Sequence, residues 1–245
     1  MPKINKLDLK QYSRFGPRAM FGQYMMEIAE NNKNLMVISA DLGRSSGLDR
    51  FKKKFPKNYL SVGICEQNLI GVASGLAKEG FKVFVTSFAP FLSMRASEHI
   101  RMNLGYMKHS VNVVALGSGL AMGFLGNSHF GLEDLAVMRT IPNMRIVCPA
   151  DNLELKKVLC DCAENDRGPN YIRLTGIPGS PYIYDRDYKF KYGSSKIIRK
   201  GDDLLIIGIG SLLAEAKMAC SILKSKSINV QLLNAVQIKP FDDKI

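Results

Sequence analysis

An α/β architecture built on a parallel sheet is what the 245-residue sequence predicts, on three observations. Short apolar, β-branched runs recur along the chain, separated by stretches of helical periodicity, which is the alternation that βα units produce. Hydrophobic residues make up 46% of the chain, enough to fill a sizeable core. The runs themselves show little polar alternation, so both faces of each strand are expected to lie under helices.

Taken in order, a helix is expected over about residues 18–31, feeding the strand Leu35-Met-Val-Ile-Ser-Ala40. A second helix over 66–78 leads into Phe81-Lys-Val-Phe-Val-Thr86, and a third, near 88–103, precedes Val111-Asn-Val-Val-Ala-Leu116. After a glycine-rich loop come the strand Met144-Arg-Ile-Val-Cys148, a helix over about 153–164 and the strand Tyr171-Ile-Arg-Leu174. Residues 175–192, rich in Gly, Pro, Tyr and Asp, read as a linker. Beyond it, Asp203-Leu-Leu-Ile-Ile-Gly208, a helix near 212–224 and Asn229-Val-Gln-Leu-Leu233 begin a smaller α/β unit. The division is therefore 1–180 and 193–245. With two strands and one helix, the second unit leaves apolar surface uncovered, to be met by a partner or by further chain.

The net charge is +12, yet lysines and arginines are scattered, and no run marks a nucleic-acid surface. The local cluster Arg50-Phe-Lys-Lys-Lys54 reads as a solvated helix end. Five cysteines, odd in number and mostly within apolar segments, suit a reduced cytosolic protein. Cys160-Asp-Cys162 has neither a second pair nor a nearby histidine, so no metal ligand is assigned to it. Met1-Pro-Lys-Ile-Asn-Lys-Leu7 lacks a signal-peptide core, and no apolar run reaches membrane-spanning length; a soluble, cytoplasmic chain with no membrane contact is expected. Gly117-Ser-Gly119 and Gly208-Ile-Gly210 follow strands, but Met122 and Leu213 occupy the place of the third glycine of a dinucleotide fingerprint. Both read as strand-to-helix turns.

Glu66 stands out in Ser61-Val-Gly-Ile-Cys-Glu-Gln-Asn68, between an apolar strand and the Gly/Ala-rich helix start Leu69-Ile-Gly-Val-Ala-Ser-Gly-Leu76. An ionisable group there must be neutralised, paired or used. Capping the following helix is the bland alternative. Four further segments follow a recognisable order with it: Ser39-Ala-Asp-Leu42, Ser87-Phe-Ala-Pro-Phe91, Gly126-Asn-Ser-His129, and Ile141-Pro-Asn-Met144 to Pro149-Ala-Asp151. Together they resemble the pyrimidine-binding domain of transketolase-like thiamine diphosphate enzymes. The resemblance covers about residues 18–175, with the start of the family's third domain after it.

That resemblance implies a thiamine diphosphate site. Glu66 would hydrogen-bond the cofactor's aminopyrimidine nitrogen and exchange the proton that permits the imino tautomer, a cofactor activator rather than a base on substrate. Phe88 and Phe91, three apart and read here as one helical face, would line the ring pocket, with Met94 where relatives often carry another aromatic. Spacing alone equally allows two core phenylalanines. Leu42 matches the apolar residue under the bent cofactor, Asp41 the carboxylate before it, and Ile64 a residue of the cofactor-binding segment; Asp41 and Leu42 also read as a loop anchor.

On the substrate side, His129 matches a histidine that contacts donor hydroxyls, or else is a packed loop residue. Arg18 and Ser45 match phosphate-contacting positions; an exposed first-turn residue is the alternative for Arg18. A second phosphate arginine is expected where Thr175 or Gly176 stands, and Arg173 would replace it only if the strand register shifts. Gly117 replaces an earlier histidine and Phe124-Leu125 an acidic pair, which suggests a sugar with fewer hydroxyls, such as a deoxy, modified or unphosphorylated one. The family's Gly-Asp-Gly segment for Mg²⁺ and diphosphate is missing, and Gly201-Asp-Asp203 does not complete it. The implied protein is the C-terminal subunit of a split transketolase, moving a two-carbon ketol unit from a ketose to an aldose. An N-terminal subunit would carry Mg²⁺ and the diphosphate motif in a heterotetramer. A 2-oxoacid dehydrogenase or synthase beta subunit and a non-catalytic scaffold are the other readings.

Overall fold

The structure, a computed structural model, describes residues 14–175, 178–184 and 187–245; the N-terminal segment and Gly176 considered above lie outside these. The strands are β1 (Leu35–Ser39), β2 (Tyr59–Ser61), β3 (Lys82–Phe88), β4 (Val111–Leu116), β5 (Arg145–Val147), β6 (Asn170–Arg173), β7 (Lys196–Arg199), β8 (Leu204–Gly208), β9 (Val230–Asn234) and β10 (Gln237–Lys239). The helices are α1 (Pro17–Ala29), α2 (Asp49–Lys54), α3 (Glu66–Lys78), α4 (89–106), α5 (Asp134–Thr140), α6 (Asn152–Glu164) and α7 (Leu213–Ser225).

Seven strands form the main sheet, ordered β10-β5-β6-β4-β3-β1-β2, parallel except for β10. β4, in the middle, is buried along its whole length, and its residues alternate between two cores. Val114 and Leu116 face the core formed with α1 and α6, including Phe21, Tyr24, Leu155 and Leu159. Val111, Val113 and Ala115 face the other, with Leu69, Ile70 and Ala73 of α3 and Leu92, Ile100 and Leu104 of α4. This is the two-sided burial that the unbroken apolar runs predict.

Three details differ from the sequence reading. Phe88 is the last residue of β3, not part of a helix; the helical run begins after it and contains π turns at Phe91–Arg95 and Ile100–Tyr106. The smaller sheet has three strands, ordered β7-β9-β8, because Lys196–Arg199 pairs antiparallel with β9. Finally, β10 leaves that sheet and pairs antiparallel with β5, with Gln237 opposite Val147 and Lys239 opposite Ile146. β8 remains an edge strand, with Leu204, Leu205 and Ile207 exposed.

A buried carboxylate ties the two sheets together. Glu154 of α6 accepts from the Ala150 N–H (2.8 Å), the hydroxyls of Tyr184 (2.9 Å) and Tyr188 (2.7 Å), and the Asn234 amide of β9 (3.1 Å to each oxygen). Asp151 caps α6 by accepting from the Glu154 N–H (2.8 Å), and also accepts from the Ile183 N–H (2.7 Å). Burial, then the neighbouring Asp151, pushes the Glu154 pKa up. Replacing Glu154 with alanine takes the acceptor from two phenol hydroxyls and the Ala150 N–H, leaving the Asn234 amide only its bond to Tyr184 Oη (2.8 Å), and should cost about 2–3 kcal/mol of unfolding free energy. Urea unfolding reads this directly; a loss below about 1 kcal/mol, the worth of one ordinary hydrogen bond, would mean that the network does not join the units.

Candidate active site

The residues singled out by sequence converge because parallel strands all end on one edge of the sheet, where the chain must turn outward. Asp41 and Leu42 follow β1, Ile64 and Glu66 follow β2, Phe88 and Phe91 straddle the end of β3, and Gly117 follows β4. Asp41 adopts a left-handed conformation (φ 58°) and is exposed, while Leu42 packs half-buried and donates its N–H to Ser39 Oγ at 2.9 Å.

Glu66 is 1% exposed and is the first residue of α3, where the helix dipole favours a negative charge. The N-cap position belongs to Cys65 and no side chain caps the helix, so the capping alternative for Glu66 is not adopted. Its carboxylate instead accepts from Ser87 Oγ (3.0 Å) on one oxygen and from Arg95 Nη1 (2.8 Å) on the other. Arg95 is half-exposed, and its guanidinium lies 4.3 Å above the Phe91 ring.

Beside this pair stand three rings in mutual edge-to-face contact: Phe88 and Phe91 at 6.0 Å, Phe88 and His129 at 5.4 Å, Phe91 and His129 at 5.1 Å. Phe88 is buried and Phe91 half-buried. His129 sits on the 3-10 turn Asn127–His129, reached through Gly126 at φ 80°, with its Nδ1 3.0 Å from Ser128 Oγ. Ile64 and Met94 are exposed, at 70% and 51%.

Arg18 and Ser45 meet in a cavity of about 160 Å³, whose lining also includes Arg44, Gly47, Gly117 and Met122. Two glycines make the meeting possible. A Cβ on Gly22 of α1 would come within 2.0 Å of the Gly47 carbonyl oxygen, and one on Gly47 within 3.0 Å of Ala19 Cα. The loop after β1 thus rests directly on the backbone of α1. Arg173 lies elsewhere: β6 pairs in plain register, Ala115 opposite Arg173, and the guanidinium is buried on Asp134 (2.8 Å) and the Gly131 carbonyl (3.1 Å). Tyr171 donates to the same carboxylate at 3.0 Å. The register shift that would free Arg173 for a substrate does not occur, and its electrostatic partner comes from α5. Sequence reasoning missed Ser87, Arg95 and Arg44, since none belongs to a spacing pattern of its own.

Compared with known proteins, the chain matches the transketolase pyrimidine-binding domain over residues 16–176 and the transketolase C-terminal domain over residues 193–245. The chain belongs to the transketolase family. It is 34% identical to one subunit of the apulose-4-phosphate transketolase of Phocaeicola vulgatus, over 92% of this chain and 72% of that protein. To the 6-deoxy-6-sulfo-D-fructose transketolase subunit SqwH of Clostridium sp. (strain MSTE9) it is 32% identical, over 93% of this chain and 70% of that one. Among solved structures it resembles a split gene transketolase, described as an inactive beta4 tetramer, with a TM-score of 0.84 and 35% identity over 93% of this chain and 74% of the other. This transketolase-family chain is therefore a transferase of the thiamine diphosphate-dependent class.

The residues present fit the aminopyrimidine half of that cofactor. A carboxylate at the margin of an aromatic cluster offers an acid for a ring nitrogen and apolar faces for the ring. Among the described residues, no three His, Cys, Asp or Glu side chains converge as metal ligands. If Arg95 positions Glu66, Arg95→Ala should lower turnover about 10- to 100-fold, the usual effect of misplacing a reacting group. Ser87→Ala, removing one neutral hydrogen bond, should do less. Steady-state rates test this order, and a wild-type rate in Arg95→Ala would show that Glu66 is held without it.

Proposed function

We propose that this chain is the C-terminal subunit of a split transketolase which, with an N-terminal subunit in a heterotetramer, moves a two-carbon ketol unit from a ketose donor to an aldose acceptor. The observation that carries the reading is Glu66: a buried carboxylate held from two sides and set beside Phe88, Phe91 and His129. The named relatives, two of them transketolase subunits and the third a split-gene protein, support the division between two polypeptides. Within this reading the pyrimidine-binding unit extends to about residue 180, the third-domain unit begins near 193, and the complex works in the cytoplasm. Among the described residues no helix is long and apolar enough to cross a membrane.

Thiamine diphosphate, when bound, would supply the nucleophilic carbon that ketol transfer requires. Glu66 holds and returns a proton at the aminopyrimidine nitrogen. Phe88 and Phe91 line the place of the heterocycle, with Leu42, Ile64 and Met94 as apolar surroundings and Asp41 anchoring the loop beneath. His129, within ring contact of both phenylalanines, offers hydrogen bonds to donor hydroxyls. Arg18 and Ser45 receive the far end of the sugar or sugar phosphate. Mg²⁺ and the diphosphate are assigned mainly to the N-terminal subunit. Phe124 and Leu125, both exposed, leave no carboxylate at their positions for sugar hydroxyls, which favours a deoxy or otherwise modified sugar. The relatives named as transketolase subunits, covered over about 70% of their length, favour this over a 2-oxoacid dehydrogenase or synthase subunit, and the retained Glu66 contacts favour it over a scaffold.

Co-expressed with its N-terminal subunit and titrated calorimetrically with thiamine diphosphate and Mg²⁺, the complex should bind while the chain alone does not. Glu66→Gln should assemble and melt like wild type but lose roughly 100- to 10,000-fold in turnover, because an amide cannot relay the proton. Near wild-type turnover in that variant would overturn the mechanism.

A further inference from the structure

A terminal phosphate or sulfonate presents three acceptor oxygens, and two guanidinium forks grip it better than one. At the end of β6, where the family pattern expects the second fork, Thr175 stands and Arg173 is committed to Asp134. The structure supplies a guanidinium from another direction. Arg44, in the loop after β1, lines the same cavity as Arg18 and Ser45.

The loop that carries Arg44 is tightly fixed. Ser46 N–H donates to Leu42 O (2.9 Å), Gly47 N–H to Arg44 O (3.1 Å) and Leu48 N–H to Gly43 O (2.8 Å), and Gly47 lies against the backbone of α1. Neither Arg18 nor Arg44 has a carboxylate partner among the described residues. Arg18, half-buried, and Arg44, exposed, thus bring unpaired positive charge to one cavity from two separate elements, which favours an anion there. The start of α1, a helix of 13 residues, adds potential of the same sign. The cavity also adjoins the aromatic cluster: a Cβ on Gly117, in its wall, would come within 3.5 Å of Phe88. An anion held here would therefore be the distal end of a sugar whose reacting end reaches Phe88 and His129.

We infer that Arg44 is a specificity-determining residue which, together with Arg18, binds a terminal tetrahedral oxyanion of the sugar substrate. The inference rests on the transketolase reading and narrows it, replacing the missing arginine after β6 with one from the loop after β1.

The test uses the chain assembled with its N-terminal subunit, as wild type, Arg44→Gln and Arg44→Lys. The probes are one ketose ending in phosphate, the same ketose ending in sulfonate, and the same ketose ending in a hydroxyl. Calorimetric affinity and kcat/KM are measured for each. Wild type should prefer an anionic probe over the neutral one, and the anion with the larger preference identifies the source. Arg44→Gln should shrink that preference about 10- to 100-fold, chiefly through KM, and Arg44→Lys should retain part of it. No preference in wild type, or an undiminished preference in Arg44→Gln, overturns the inference. Arg44-dependent binding without ketol transfer by any form would refute the transketolase reading and leave the anion site; transfer with an undiminished preference in Arg44→Gln would do the reverse.

Discussion

A carboxylate with almost no exposure survives at the start of α3 because three sources of positive potential converge on it from three different elements. The helix contributes its first-turn amides, β3 contributes the Ser87 hydroxyl, and the π turn after β3 contributes Arg95. Each fixes something else. Ser87 can reach Glu66 only if β3 and α3 keep their spacing on β1, and Arg95 only if the helical run after Phe88 starts with its widened turn. Arg95 in turn covers Phe91, whose edge meets Phe88 and His129. The geometry of the whole strand-end cluster thus follows from the need to keep one buried charge satisfied.

Glu154 solves the same problem with neutral donors. Among the described residues no cation touches its carboxylate; phenol, amide and main-chain donors surround it, and burial raises its pKa. The contrast matches the places of the two residues. Glu66, the proposed proton carrier, sits at a margin beside a half-exposed guanidinium, whereas Glu154 sits in a network of neutral donors linking α6, the segment after β6 and β9.

Much of this was readable from residue order, because it depends on local contrast. Glu66 is conspicuous as a charge inside an apolar stretch, and β4 as an apolar run with no polar alternation. What escaped depends on partners distant in sequence. Lys196–Arg199 and Gln237–Lys239 are too short to announce themselves as strands and become so only because β9 and β5 offer free edges. The fate of Arg173 was decided by Asp134, thirty-nine positions earlier, and that of Arg44 by two glycines that bring a loop onto a helix. Phe88 and Phe91 have helical spacing, yet the sheet claims Phe88, so the two rings meet across a strand-to-helix corner.

β10 crosses from the smaller sheet to the larger and occupies the free side of β5, while Val236 O accepts from the Cys148 N–H at 2.7 Å. The boundary between the sheets is therefore laced by main-chain hydrogen bonds as well as side-chain packing. A hinge at that boundary would have to tear a strand from its neighbour, so the smaller unit is a fixed outrigger of the larger one. Heat or denaturant should then melt the two together as a single cooperative body, and peeling β10 away would bare a sticky edge at β5 open to strand addition by another molecule.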